Sequence, residues 1–234
     1  YKCGLKKQDF QTVIDGKKTD LYIITNNNGY EIAISNYGGA ILALMAPDKD
    51  GNFQNIVQGY DSIESLQKSP QKYLSTLIGR FSNRIKDGIF KIKGTEYYLN
   101  LNDRGKNHLH GGREGFDVRV WDAYQINYRA VKLTYVSPDL EEGYPGTLRM
   151  EVTFSINDKN EFRISYRGKT DKTTIVNMTH HVFFNLHGIT DPCPSIEDEI
   201  LYINAYLYLP TDEDLIPNGT IDNVIGTPLD FLTP

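Results

Sequence analysis

Apolar and polar residues alternate in five stretches of the chain: Tyr30–Ser35, Ile89–Lys93, Val131–Tyr135, Leu148–Ile156 and Phe162–Tyr166. A period of two puts one kind of side chain on each face of a pleated strand, so each stretch predicts a half-buried β-strand. Turn-forming clusters stand between them, at Asn27-Asn28-Gly29, Asp50-Gly51, Lys93-Gly94-Thr95, Asn127-Tyr128-Arg129 and Asp158-Lys159-Asn160, and predict tight hairpins. Only one segment carries helix punctuation. Asp61 with Glu64 three residues on predicts a capping box, and Pro70 predicts the stop. No helical pattern alternates with the strands, which argues against a parallel α/β sheet and leaves an all-β sandwich or barrel.

Composition narrows the class further. The 234 residues are 39% apolar and 12% aromatic with 20 glycines, enough for a sizeable core. Twenty-five Lys and Arg against 30 Asp and Glu leave a net charge of −5, with both signs interspersed, which disfavours a nucleic-acid partner. The longest apolar run, Ala40 to Ala46, is too short for a membrane-spanning helix and predicts a soluble chain. The sequence begins at Tyr1 rather than Met, from which residues removed upstream are expected; cytoplasm and periplasm both stay open, as does the oligomeric state. Cys3 and Cys193 lack a CxxC spacing and are expected to stay unpaired. Without a repeat, low-complexity tract or linker, the chain reads as a single domain over residues 1–234.

Two stretches break the strand grammar, Thr76–Ile85 and Asn100–Gly115, and long polar loops on a β scaffold are common places for sites. All five histidines fall in two groups, His108 with His110, and His180 with His181 and His187. Imidazole both donates and accepts a proton near neutrality, so clustering of this kind points to proton transfer. His108 and His187 read as exposed loop residues. His110 precedes Gly111-Gly112, where a ligand could come close, and His181 lies beside Val182, Phe183 and Phe184 in what reads as an apolar strand. The spacing His108-x-His110 with Glu114, and His181 with Asn185, partly matches the cupin metal-binding pattern, but the flanking glycines and proline of that pattern are missing; no metal is expected. Trp121 follows Val120 in a strand pattern and reads as core rather than as a sugar-stacking platform. Glu141 and Glu142 read as a solvated pair of like charges.

Six ordered motifs carry a family resemblance: Asn36-Tyr-Gly-Gly39; Ile78-Gly-Arg-Phe-Ser-Asn-Arg-Ile85; Asn107-His-Leu-His-Gly-Gly-Arg-Glu-Gly-Phe116 with Arg119-Val-Trp121; Glu142-Gly-Tyr-Pro-Gly146; Val176 to Leu186; and Leu209 to Pro217. Together they resemble the aldose 1-epimerase, or galactose mutarotase, family over nearly the whole chain. The resemblance implies a large antiparallel β-sandwich with few short helices, acting on the anomeric centre of aldohexoses without metal or organic cofactor. Carried over position by position, it implies His181 as the general acid on the ring oxygen, His110 as the second active-site histidine, and Asn83 with Arg84 as sugar-binding groups. Arg84 suits adjacent hydroxyls because its planar guanidinium is a fork of donors, though an ion pair is the competing role. The position before the acid is usually Asn in the family and is His180 here, and His108 replaces a small or polar residue. The family's glutamate base and a sugar-binding aspartate are expected beyond Pro234, so no residue of the sequence takes the role of base. A sugar-binding sandwich without turnover is the second reading, and a cupin-like metalloenzyme a third.

Overall fold

The computed structural model describes residues 1–233; Pro234, the last residue of the expected domain, lies outside the described residues. Two four-stranded antiparallel sheets form its body. The first runs in chain order through Leu21–Thr25, Glu31–Ser35, Ile41–Pro47 and Phe53–Asn55, the second through Asp122–Asn127, Ala130–Ser137, Leu148–Ile156 and Phe162–Thr170. Each is a meander; the turns after Thr25, Pro47, Asn127 and Ile156 fall at predicted clusters, whereas the connections over residues 36–40 and 138–147 stand at none of them.

One core lies between the sheets. Ile24, Ile32, Ile34, Ile41 and Leu44 of the first meet Val131, Leu133, Leu148, Met150, Val152 and Phe154 of the second, with Leu77, Phe116 and Trp121 filling the same layer. The Leu148–Ile156 strand shows the cause most plainly: Leu148, Met150, Val152, Phe154 and Ile156 are buried while Arg149, Glu151, Thr153 and Ser155 point outward. Truncating one of these inward side chains, Phe154→Ala for example, costs about 3–5 kcal/mol by lost transfer energy and the cavity left behind.

The first sheet is covered on both faces, which its sequence pattern only half reveals. Tyr30–Ser35 is not half-buried as the alternation implies: every residue of Glu31–Ser35 is buried. Ile32 and Ile34 face the sandwich interior, whereas Ala33 packs with Phe10, Leu42, Ile63 and Leu66 in a second core beneath the N-terminal segment. Glu31 is tolerated there because its carboxylate accepts from the Lys2 and Cys3 backbone amides at 3.1 and 2.9 Å.

The short helix spans Ile63–Lys68, but its cap differs from the expected Asp61/Glu64 box. Ser62 is the N-cap, its hydroxyl accepting from Ser65 N–H while the Ser65 side chain answers the Ser62 backbone; Asp61 supports both through its carboxylate, and Glu64 instead faces Lys68. A serine at the third helical position closes the box as a glutamate would. Trp121 is fully buried, edge-on to Phe116 at 5.3 Å, and donates to the Phe116 carbonyl at 3.3 Å. Cys3 and Cys193 are both free thiols.

Candidate active site

Two small antiparallel pairings and one parallel bridge turn the two irregular stretches into a wall. Leu77–Ile78 pairs with Thr179–His180, Arg84–Ile85 pairs with His108–Leu109, and an isolated parallel bridge joins Phe81 to Asn177. Chain from residues 76–85, 107–112 and 177–183 is thereby brought to one place. Arg80 anchors it from inside: fully enclosed, its guanidinium donates to the Ser137 hydroxyl and to the carbonyls of Ser137, Pro138 and Pro145 at 2.8–3.1 Å. Gly111 must be glycine, since at φ +87° a Cβ would lie 1.8 Å from the Gly79 carbonyl oxygen.

The result is a cleft of about 470 Å³ lined by Ser82, Asn83, His110 and the run Asn177–Phe183, within the size range of small-molecule sites. The His110 and His181 rings meet in it, centroids 5.2 Å apart and perpendicular. His110 and Asn83 clasp each other. His110 N–H donates to the Asn83 carbonyl at 3.0 Å, and Asn83 N–H donates to His110 Nδ1 at 3.0 Å, with both residues in the left-handed region at φ 53° and 64°. A backbone donor on Nδ1 fixes the tautomer: the proton of neutral His110 sits on Nε2 and is available as a donor. Burial, then the neighbouring His181 and Arg84 charges, hold its pKa down to about 4. Tyr73 braces the other side of the ring, edge-on at 4.7 Å.

His181 is placed differently. Its imidazole meets rings, His110 and Phe183 at 5.2 and 5.1 Å, and among the described residues no hydrogen bond reaches either ring nitrogen. The apolar strand expected around it is only Thr179–His180; Phe183 and Phe184 are half exposed. Arg84 stands beside the wall rather than in it. Its Nε donates to Asp103 Oδ2 at 2.7 Å in a largely buried ion pair, and one terminal nitrogen reaches Asn83 Oδ1 at 3.3 Å. The ion pair and the orientation of Asn83 are therefore one arrangement.

Two sequence expectations fail here. His108 is not an exposed loop residue: it is buried, Nδ1–H donating to the Asn100 carbonyl at 2.8 Å and Nε2 accepting from the Tyr144 hydroxyl at 2.6 Å. With both nitrogens engaged, and Glu114 directed to Arg119 at 3.5 Å, the His108/His110/Glu114 ligand set is not assembled. Nor are Glu141 and Glu142 a solvated pair. Glu141 accepts from Tyr135 and Ser137 hydroxyls and pairs with Arg119 at 3.1 Å, while Glu142 accepts from Asn100 and the Arg113 backbone. Donors converging from four segments draw both carboxylates inward. His187 is half exposed, as expected, against Asp198 at 2.8 Å.

Sequence reasoning did not find Asn102, Asp103, Tyr73 or Asp117. Asn102 bonds both backbone groups of Leu109 at 2.8 Å and so sets the start of the His110 turn. Asp117 is buried with neither carboxylate oxygen partnered among the described residues, and burial pushes its pKa up to about 7.

The family model for aldose 1-epimerase matches residues 20–234. This chain belongs to the aldose 1-epimerase family. It is 42% identical to the galactose mutarotase of Rattus norvegicus over 204 residues, covering 87% of this chain and 58% of that protein. Against the aldose 1-epimerase of Escherichia coli (strain K12) it is 36% identical over 217 residues, 93% of this chain and 61% of the relative. The chain thus spans about three-fifths of the length of these curated relatives. Among solved structures, the galactose 1-epimerase of Lactobacillus acidophilus NCFM superposes with a TM-score of 0.83 at 30% identity, covering 95% of this chain and 64% of that one. An aldose epimerase homologue from C. elegans gives 0.85 at 26% identity, covering 92% and 64%. His108 and His180, the neighbours of the two histidines in the cleft, both turn an imidazole nitrogen onto a backbone carbonyl of the fold.

Proposed function

We propose that this chain provides the acid side of an aldose 1-epimerase site that interconverts the α- and β-anomers of an aldohexose such as galactose or glucose. The observation that carries the reading is the meeting of His110 and His181 in one cleft, 5.2 Å apart, with Asn83 on the same wall. Opening a cyclic hemiacetal moves two protons: one leaves the O1 hydroxyl, one arrives at the ring oxygen O5, and the C1–O5 bond breaks. Rotation about C1–C2 then lets O5 attack the other face of the aldehyde, and both protons return.

His181 suits the O5 step because its ring nitrogens accept or donate no hydrogen bond among the described residues and so can give and retake a proton. His110 suits a different task. Its fixed Nε2–H donates to a sugar oxygen, and Asn83, steadied by Arg84, offers an amide to a hydroxyl. No residue here is assigned the removal of the O1 proton; Glu141 and Glu142 are already engaged with donors of the fold. Polarimetry on freshly dissolved α-D-galactose with the intact protein tests the reading. Rotation should reach equilibrium faster than in buffer alone, and sugar binding with an unaccelerated approach would replace catalysis by simple binding.

A further inference from the structure

Three chain segments run side by side behind the cleft: residues 38–41, 75–77 and 179–181. Backbone bonds join neighbours. Leu77 N–H donates to the Gly38 carbonyl at 2.8 Å and Ile41 N–H to the Ser75 carbonyl at 2.9 Å; on the other side His181 N–H donates to Thr76 and Ser75 N–H to His181, both at 2.9 Å. The outer strand, Thr179–His180, is only two residues long and pairs with Leu77–Ile78 alone, shorter than strands that usually hold their own register.

His180 supplies a tie that this ladder lacks. Its side chain reaches across the middle segment, and Nε2–H donates to the Gly39 carbonyl at 3.1 Å. The same ring stands edge-on to Phe154 of the second sheet, centroids 5.9 Å apart at 89°. The contact with Gly39 depends on close approach there: at φ +56°, a Cβ on residue 39 would lie 2.3 Å from Leu77 Cδ1. Nδ1 is buried with no partner among the described residues. An unpaired buried acceptor is destabilising, so a leucine would fill this space with less penalty, and what the imidazole adds is the bond to Gly39. Burial also keeps the ring neutral, its pKa lowered to about 4.

We propose that His180 is a positioning residue: by tying the cleft strand to the Gly38–Gly39 corner, it fixes the direction in which the next residue, His181, presents its ring. The proposal rests on the reading of His181 as the acid of an epimerase site. It says that this chain holds its acid with an imidazole strut crossing three segments.

His180→Leu fills the space without a donor, whereas His180→Gln keeps an amide nitrogen three bonds beyond Cβ, as Nε2 is. In the intact protein, His180→Leu should lower kcat by about tenfold or more with KM nearly unchanged, because a misdirected acid loses rate rather than binding. Exchange of the His181 amide hydrogen should quicken by about tenfold or more, and His180→Gln should recover most of both. Should the leucine variant not fold, His180→Asn, one bond short of Gly39, serves the same comparison. Wild-type kcat and wild-type His181 amide protection in the leucine or asparagine variant would overturn the proposal. So would a lower Tm with kcat per folded molecule unchanged, which marks packing alone. The exchange measurement needs no turnover, so its outcome is separate from failure of the epimerase reading, which shows as a wild-type protein that does not accelerate mutarotation.

Discussion

The two histidine clusters have the same plan and opposite freedom. In each, one imidazole is built into the fold and another faces the cleft: His108 bonds Asn100 and Tyr144 while His110 lines the cleft, and His180 bonds Gly39 while His181 lines it. The cleft-facing members differ in what holds them. His110 is locked by the Asn83 backbone N–H on its Nδ1, both residues standing in the left-handed region, so it has one tautomer and one proton to share. His181 is held through its backbone and by neighbouring rings, leaving both nitrogens open. A fixed tautomer makes a good hydrogen-bond donor, whereas an imidazole that must give and retake a proton needs its nitrogens free.

Substitution at the free histidine breaks the comparison most directly. His181→Ala should lower kcat by roughly 10²–10⁴, the usual contribution of a positioned general acid, with a smaller change in KM. Polarimetric rates equal to wild type would show that the proton comes from elsewhere. At the locked histidine the expected loss is smaller. His110→Ala removes one donor to the sugar and should reduce kcat/KM by roughly tenfold to a hundredfold, as for a hydrogen bond to a group gaining charge. A loss at His110 exceeding that at His181 would reverse the assignment of roles.

The smallest effect is on stability. His110 and His180 both have folded-state pKa values held to about 4, below the ordinary 6.5. Between those values the unfolded chain takes up protons that the folded chain refuses. Their contribution is therefore intact above pH 6.5 and lost as pH falls toward 4, by at most about 1.4 kcal/mol per pH unit for each group. Asp117, raised to about 7, acts in the opposite direction over the same range. Urea midpoints of wild type and His180→Gln at pH 7 and pH 5 isolate the His180 part: the wild type should lose more on acidification, and equal losses would show that His180 is not held neutral by burial.

The alternating strands were legible because one face of the second sheet meets water, so Leu148–Ile156 declares its inward residues one by one. The first sheet concealed itself for the opposite reason. Buried on both faces, Ile41–Pro47 reads as an undivided apolar run, and period two has nothing to mark. Of the candidate site, the cleft histidines and Asn83 could be picked out through ordered motifs, and the structure brings them together. The structural histidines could not be separated from them, because His108 and His110 differ only in which side of a two-residue strand and turn they occupy. Asp117 left no local signal, and Arg80, though inside the 78–85 motif, had nothing beside it to mark it as buried. Their burial depends on Ser137, Pro145 and the 115–118 turn, partners fixed only by the closed sandwich.

The bond from His180 to Gly39 spans 141 positions of sequence. Contacts between residues so far apart close late in folding, after the local hairpins have formed, because the chain must first lose the entropy of the long intervening loop. On the proposed roles of His180 and His181, the acid is therefore aimed only at the end of assembly. A molecule can have both meanders zipped while His181 still points nowhere useful, so, on the proposed function, refolding should restore strand signal before it restores mutarotation.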